Sequence, residues 1–192
     1  MPANPDPNPH SGAEFPFQEE FLLHSEADEG SGDIITLQRI RREVEGYLEL
    51  GMPDLAEEEL AALSPGQTLH PLILDARLSL LMQLRRWPEA VEIGLKGCAA
   101  APGGAAFFIH TAFCLHEMGR TGEAHLLLTS GPAALQKEAL YHYNMACYAA
   151  VLGRPKEAGP SLTRAFRLDP TLRKFARSDR DLEVLWPKIS GF

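Results

Sequence analysis

Residues 143–170 read Tyr143-Asn-Met-Ala-Cys147-Tyr-Ala-Ala-Val-Leu-Gly153-Arg-Pro155-Lys-Glu157-Ala158-Gly-Pro160-Ser-Leu162-Thr-Arg-Ala165-Phe-Arg-Leu-Asp-Pro170. An apolar helical pattern runs into a glycine, and a proline opens a second pattern just beyond it. Glycine ends helices by taking the left-handed conformation, and proline begins them where a missing N–H costs least. The stretch therefore reads as helix, tight turn, helix. Working outward from Ala158, alanines recur at Ala124, Ala90 and Ala56, 34 residues apart each time. The turns recur with them, as Gly51-Met-Pro53, Arg85-Arg-Trp87, Gly119-Arg-Thr121 and Gly153-Arg-Pro155. Self-similarity at one fixed period identifies a repeat architecture.

Two antiparallel helices joined by so short a turn approach closely, leaving room for a methyl group at the recurring alanine and little more. The first helix of each unit carries an apolar stripe, for example Leu74, Leu78, Leu81 and Leu84, the spacing of a buried helix face. The repeat register places the units at 37–70, 71–104, 105–138 and 139–172, with a proline at the same late position in Pro102 and Pro170.

This pattern resembles the tetratricopeptide repeat family: glycine or its equivalent at the turn, alanine early in the second helix and proline near the unit's end. The fourth unit carries the likeness best. The resemblance implies an all-α fold, a right-handed α-solenoid of four helical hairpins across 34–170, closed by capping helices in 171–192. Three departures predict kinks or shortened helices: Gly94 where the family has a bulky residue, Gly131-Pro132 in the third unit and Gly159-Pro160 in the fourth. In the C-terminal segment, Phe175, Leu182, Leu185 and Trp186 are suited to cover the last apolar face, with Ser178 or Asp179 as helix cap.

The net charge of −8 is concentrated at one end. Residues 1–33 hold eight of the 26 acidic residues and none of the 18 basic ones, so the body is balanced. A neutral body without a basic stripe argues against nucleic-acid binding. Five prolines in the first sixteen residues and an acidic, Gly/Ser-rich surround make 1–33 read as a disordered tail. One aromatic island, Phe15 to His24, interrupts it as a docking segment, either for this protein's own body or for a partner. Asp33 is placed to cap the first helix. No apolar run is long enough for a membrane span, and three widely spaced cysteines do not form a disulfide framework, which together predict a cytoplasmic protein.

Within the family resemblance, the first helices line a concave groove, and repeat positions 2, 5, 9, 12 and 13 face it. Units one and two then present a polar surface that includes Gln38, Arg41, Glu45, Asp75, Ser79 and Gln83, while units three and four turn apolar. The candidate peptide-binding residues are Met82, Ile109, Phe113, His116, Tyr143 and Cys147. Their bland alternative is ordinary packing between neighbouring first helices. A chaperone-tail carboxylate clamp needs Lys and Asn at groove positions that this sequence fills otherwise, so the ligand class expected is an apolar peptide or amphipathic helix. His110, Cys114, His142 and Cys147 lack the spacing of a metal site, and neither Cys114 nor Cys147 has the partners of a nucleophile. No catalytic residue, metal or cofactor is expected. The predicted function is a protein-interaction adaptor, scaffold or chaperone; a self-associating structural subunit and a small secretion-type chaperone are the alternatives.

Overall fold

The computed structural model describes residues 31–189. The tail and docking-segment expectations for 1–30 lie outside them. Among the described residues there are ten α-helices and no strand: α1 Ser31–Glu49, α2 Pro53–Ala61, α3 Pro71–Gln83, α4 Trp87–Ala100, α5 Ala106–Glu117, α6 Thr121–Thr129, α7 Ala139–Val151, α8 Pro155–Leu168, α9 Leu172–Ala176 and α10 Trp186–Ile189. Two 3-10 segments, Ala133–Lys137 and Arg180–Leu185, complete the order. No described helix is long and apolar enough to cross a membrane.

The hairpin turns repeat atom for atom. Gly51, Arg85, Gly119 and Gly153 all have positive φ, at 68°, 54°, 74° and 74°. At each, the N–H of the positive-φ residue donates three residues back and the next N–H donates five back, as in Gly119 N to His116 O at 2.8 Å and Arg120 N to Leu115 O at 2.9 Å. This pair of bonds closes the orphan carbonyls of a helix end and aims the chain directly into its partner helix. Arg85 adopts the conformation without being glycine, at a steric cost that the packed hairpin absorbs. Beyond each turn, Ala56, Ala90, Ala124 and Ala158 are all fully buried at 0% exposure, so the methyl-sized gap inferred from the repeat is filled.

The described residues group into two compact units, 31–134 and 135–189. The first holds the hairpins α1/α2, α3/α4 and α5/α6; Leu37, Ile40, Val44, Leu60, Ile73 and Leu80 form the core beneath its first two hairpins. The second holds α7/α8 and the C-terminal elements, with Tyr148, Phe166, Leu162 and Leu182 among its most buried side chains.

Four local expectations are corrected. Gly94 does not kink α4, which runs unbroken from Trp87 to Ala100. A Cβ at Gly94 would overlap Thr111 Oγ1 and one at Gly97 would overlap the Phe107 ring, so both glycines let α5 press against α4. Gly159-Pro160 does not interrupt α8, because Pro160 lies on an exposed face where water can serve the carbonyl it leaves unbonded. Asp33 lies in the first turn of α1, which begins at Ser31, rather than at its cap; its Oδ1 accepts from Gln67 Nε2 at 3.2 Å. In the C-terminal segment Leu182 and Leu185 are buried, but Phe175 and Trp186 are 50% and 38% exposed, and Leu172 and Ala176 do the covering instead. The third departure behaves as its sequence reads: α6 ends at Thr129, ahead of Gly131-Pro132.

Candidate functional site

On the first helices of residues 31–134, side chains at equivalent repeat positions meet. Arg41 Nε donates to Asp75 Oδ2 at 3.1 Å, one repeat period away, and Arg41 Nη2 pairs with Glu45 at 2.8 Å. Asp75 is buried, and desolvation raises its pKa above the ordinary carboxylate value although Arg41 pulls the other way. Ser79 Oγ donates to Asp75 O at 2.9 Å, and Gln83 Nε2 donates to Leu48 O at 3.1 Å. Arg41–Asp75 and Gln83–Leu48 thus tie α1 to α3, while Glu45 and Ser79 bond within their own helices.

The six candidate binding residues are placed unequally. Ile109 and Phe113, one turn apart on α5, are buried, and Trp87 meets the Phe113 ring edge-on at 5.8 Å between centroids. His116 is half-buried, its Nδ1 2.9 Å from Thr121 Oγ1, a contact across the α5/α6 turn. Met82 is half-buried near the end of α3. Tyr143 and Cys147, one turn apart on α7, are buried beneath a residue the sequence suggested only as a cap. Tyr143 Oη donates to Asp179 Oδ2 at 2.7 Å, and Cys147 Sγ donates to the same oxygen at 3.5 Å. The sequence expectation of an open apolar lining meets a structure in which four of the six side chains are covered. Apolar side chains are covered wherever neighbouring elements offer them a surface, and here Trp87 and the Asp179 turn do so.

Asp179 caps the 3-10 segment by accepting from Asp181 N at 3.0 Å through Oδ1, while its backbone oxygen accepts from Trp186 Nε1 at 3.1 Å. Cys147, Asp179 and Asp181 could offer ligand atoms within 4.8 Å of one another, yet the Asp179 oxygens already accept from a phenol, a thiol and a backbone N–H. The trio reads as a hydrogen-bonded lock. The sequence signal for it was slight: an aspartate after a serine, in a segment of alternating charge.

The thiols are held in their protonated form. Burial pushes Cys98 up to about 11 and Cys114 up to about 12, the latter helped by Glu117. Cys147 is raised well above the ordinary thiol value, first by burial and then by Asp179 and Asp181. The thiolate is the nucleophile and metal ligand, so these positions are chemically quiet. His142 Nε2 lies 3.1 Å from Gln136 O, and the ring packs edge-on against Tyr141. A cleft of about 320 Å³ lies among α2, α3 and α4, lined by Glu57, Leu60, Arg77, Leu81, Arg86 and Glu89. Arg86 there bridges Glu57, at 2.7 Å, and Glu89, so its charge is already matched.

No family model matches the chain, and no curated protein matches it. Solved structures do. One titled "MamA MSR-1 C2" is 19% identical, with a TM-score of 0.58 over 70% of this chain and 78% of that one. A second, a MamA mutant, is 18% identical with a TM-score of 0.48, covering 71% of this chain and 99% of that one. The first likeness shows the fold, a helical repeat of tetratricopeptide type.

Proposed function

We propose that this chain is a protein-interaction module, an adaptor or scaffold of the cytoplasm, that holds a peptide or helical segment of a partner against the first helices of its repeats. The observation that carries the reading is the Arg41–Asp75 pair, which joins equivalent positions of adjacent repeats at 3.1 Å. A surface whose side chains are already fixed to one another loses little freedom when a partner binds, and such preorganisation is what makes modest contacts sufficient. The buried Ile109, Phe113, Tyr143 and Cys147 set the shape of the first helices, which leaves direct contact to half-exposed side chains. Met82 and His116 are the apolar and aromatic members of that set; Gln38, Arg41, Glu45 and Glu117 are the polar ones. Three buried, protonated thiols support a binding role over a nucleophilic one and fit a reducing compartment.

The test is affinity capture with the full chain, followed by titration of the captured partner. A Met82→Glu/His116→Glu variant should bind at least tenfold more weakly, while Leu126→Glu, at a 65% exposed site on a second helix, should bind as the wild type does. Equal affinity of all three proteins removes the first helices as the binding surface.

A further inference from the structure

The cleft among α2, α3 and α4 has an apolar base and an acidic edge. Its apolar lining is Leu60, Leu80 and Leu81, all buried, with half-buried Ile93 beside them. Its charged lining is Glu57 from α2, Arg77 from α3, Arg86 from the turn, and Glu89 and Glu92 from α4. Both arginines are already engaged. Arg86 bridges Glu57 and Glu89, which ties α2 to α4 and leaves that trio with a net negative charge. Arg77 Nη2 donates to Leu60 O at 3.1 Å in the last turn of α2, where a cation suits the helix's final carbonyls and the negative end of its dipole. Glu92 is exposed and has no ion-pair partner among the described residues.

The surrounding walls have the same sign. Residues 53–61 and 85–100, which hold α2, α4 and the turn before α4, carry six acidic side chains; counting Arg77 with them, four basic ones stand against these. A cleft of about 320 Å³ is at the small end of ligand-sized cavities, so it takes side chains of a partner rather than an entire helix. Lysine and arginine lay their alkyl stems along apolar surface while the charged head reaches a carboxylate or water, a match to an apolar base with an acidic edge. We propose that the cleft is a second docking site, for a basic segment of a partner protein. An aliphatic side chain of that segment and the stems of its lysines or arginines rest on Leu81 and Ile93, and their charged heads meet Glu92 and the Glu57–Arg86–Glu89 bridge. Met82 and His116 do not line the cleft, so the site is distinct from the first-helix surface.

The probe is a short fluorescein-labelled peptide of leucine and lysine at helical spacing, titrated with the full chain and followed by fluorescence anisotropy. Glu92→Lys should weaken its binding at least fivefold. Glu58→Lys, the same charge reversal at an exposed position of α2 that does not line the cleft, should change it less than twofold. Both sites are exposed, so both variants should melt within about 2 °C of the wild type, and circular dichroism checks that they do. A peptide with serine in place of its leucines should bind at least fivefold more weakly than the leucine peptide. Equal weakening by the two substitutions would reduce the effect to net charge and overturn the site, as would unchanged binding by Glu92→Lys. A serine peptide that binds as tightly as the leucine one overturns the apolar contact. Displacement of the peptide by equimolar spermine overturns the assignment to a protein segment, because the occupant would then be a free polyamine.

Discussion

The Tyr143 hydroxyl and the Asp179 carboxylate, 36 residues apart, are joined at 2.7 Å inside the 135–189 unit. The bond fastens the C-terminal segment to the last repeat, since the same carboxylate caps the 3-10 segment and also accepts from Cys147. Breaking it should free that segment before it affects the rest. Tyr143→Phe removes one donor and should cost about 1 to 2 kcal/mol. Asp179→Ala leaves the hydroxyl and the thiol without an acceptor and removes the cap, so it should cost about 2 to 4 kcal/mol. Amide hydrogen exchange should accelerate across 172–187 in both variants, and uniform acceleration over the whole chain would contradict the lock.

Glycine within helices has opposite meanings at two positions. Gly46 in α1 has nothing within 4 Å of where a Cβ would stand, whereas a Cβ at Gly94 would overlap Thr111. Gly46→Ala should therefore stabilise by about 1 kcal/mol, the difference in helix propensity. Gly94→Ala has the same propensity gain but forces α4 from α5, and overpacking of about 1 to 3 kcal/mol should outweigh it. Urea denaturation of both variants checks the reversal of sign; two stabilised proteins would mean that α4 and α5 can part without loss.

What could be read in advance follows from which interactions are local. The turns at Gly51, Arg85, Gly119 and Gly153 and the buried alanines depend on residues a few positions apart, so their 34-residue period stated the hairpins outright. Even Arg85 was legible, because the period marked it as a turn where its residue type did not. Gly94 was misread because its role lies in Thr111, on the next repeat, and a missing side chain carries no signal of what fills its space. The candidate site was less legible for the same reason. Repeat position, taken from the family resemblance, marked Ile109 and Phe113 on α5 and Tyr143 and Cys147 on α7, but Phe113 meets Trp87, and Tyr143 and Cys147 meet Asp179, partners that come from other elements. The Arg41–Asp75 pair lay in plain view as opposite charges one period apart.

Acid should weaken the fold through His110. Burial pushes its imidazole down to about 4, so the folded protein resists the proton that the unfolded chain accepts near the ordinary 6.5. A depressed histidine contributes its stability above pH 6.5 and loses it as the pH falls from there toward 4. His70 is lowered as well, against the pull of Asp33, and acts in the same direction. Asp75 opposes them: its raised pKa makes the folded chain the better proton acceptor in its own titration range. The net fall from pH 7 to pH 4.5 should be at most about 3 kcal/mol, and His110→Gln should flatten it. A variant with the wild-type pH profile would show that the imidazole is not what titrates.

The three cysteines supply the final expectation. Cys98, Cys114 and Cys147 are free and buried, and each thiol is held above its ordinary pKa. Reaction with an aromatic disulfide reagent needs both access and thiolate, and the native chain offers little of either. At pH 8 the folded protein should therefore react over hours and the urea-unfolded protein, with all three thiols, within seconds to minutes. The order of reaction carries further information. Cys147 is shielded by the Asp179 turn, so Asp179→Ala should make it react about tenfold faster at unchanged Cys98 and Cys114 rates, whereas opening of the whole chain would accelerate all three together. A thiol that reacts at once in the native wild type would instead mark an activated cysteine and reopen a nucleophilic role for this fold.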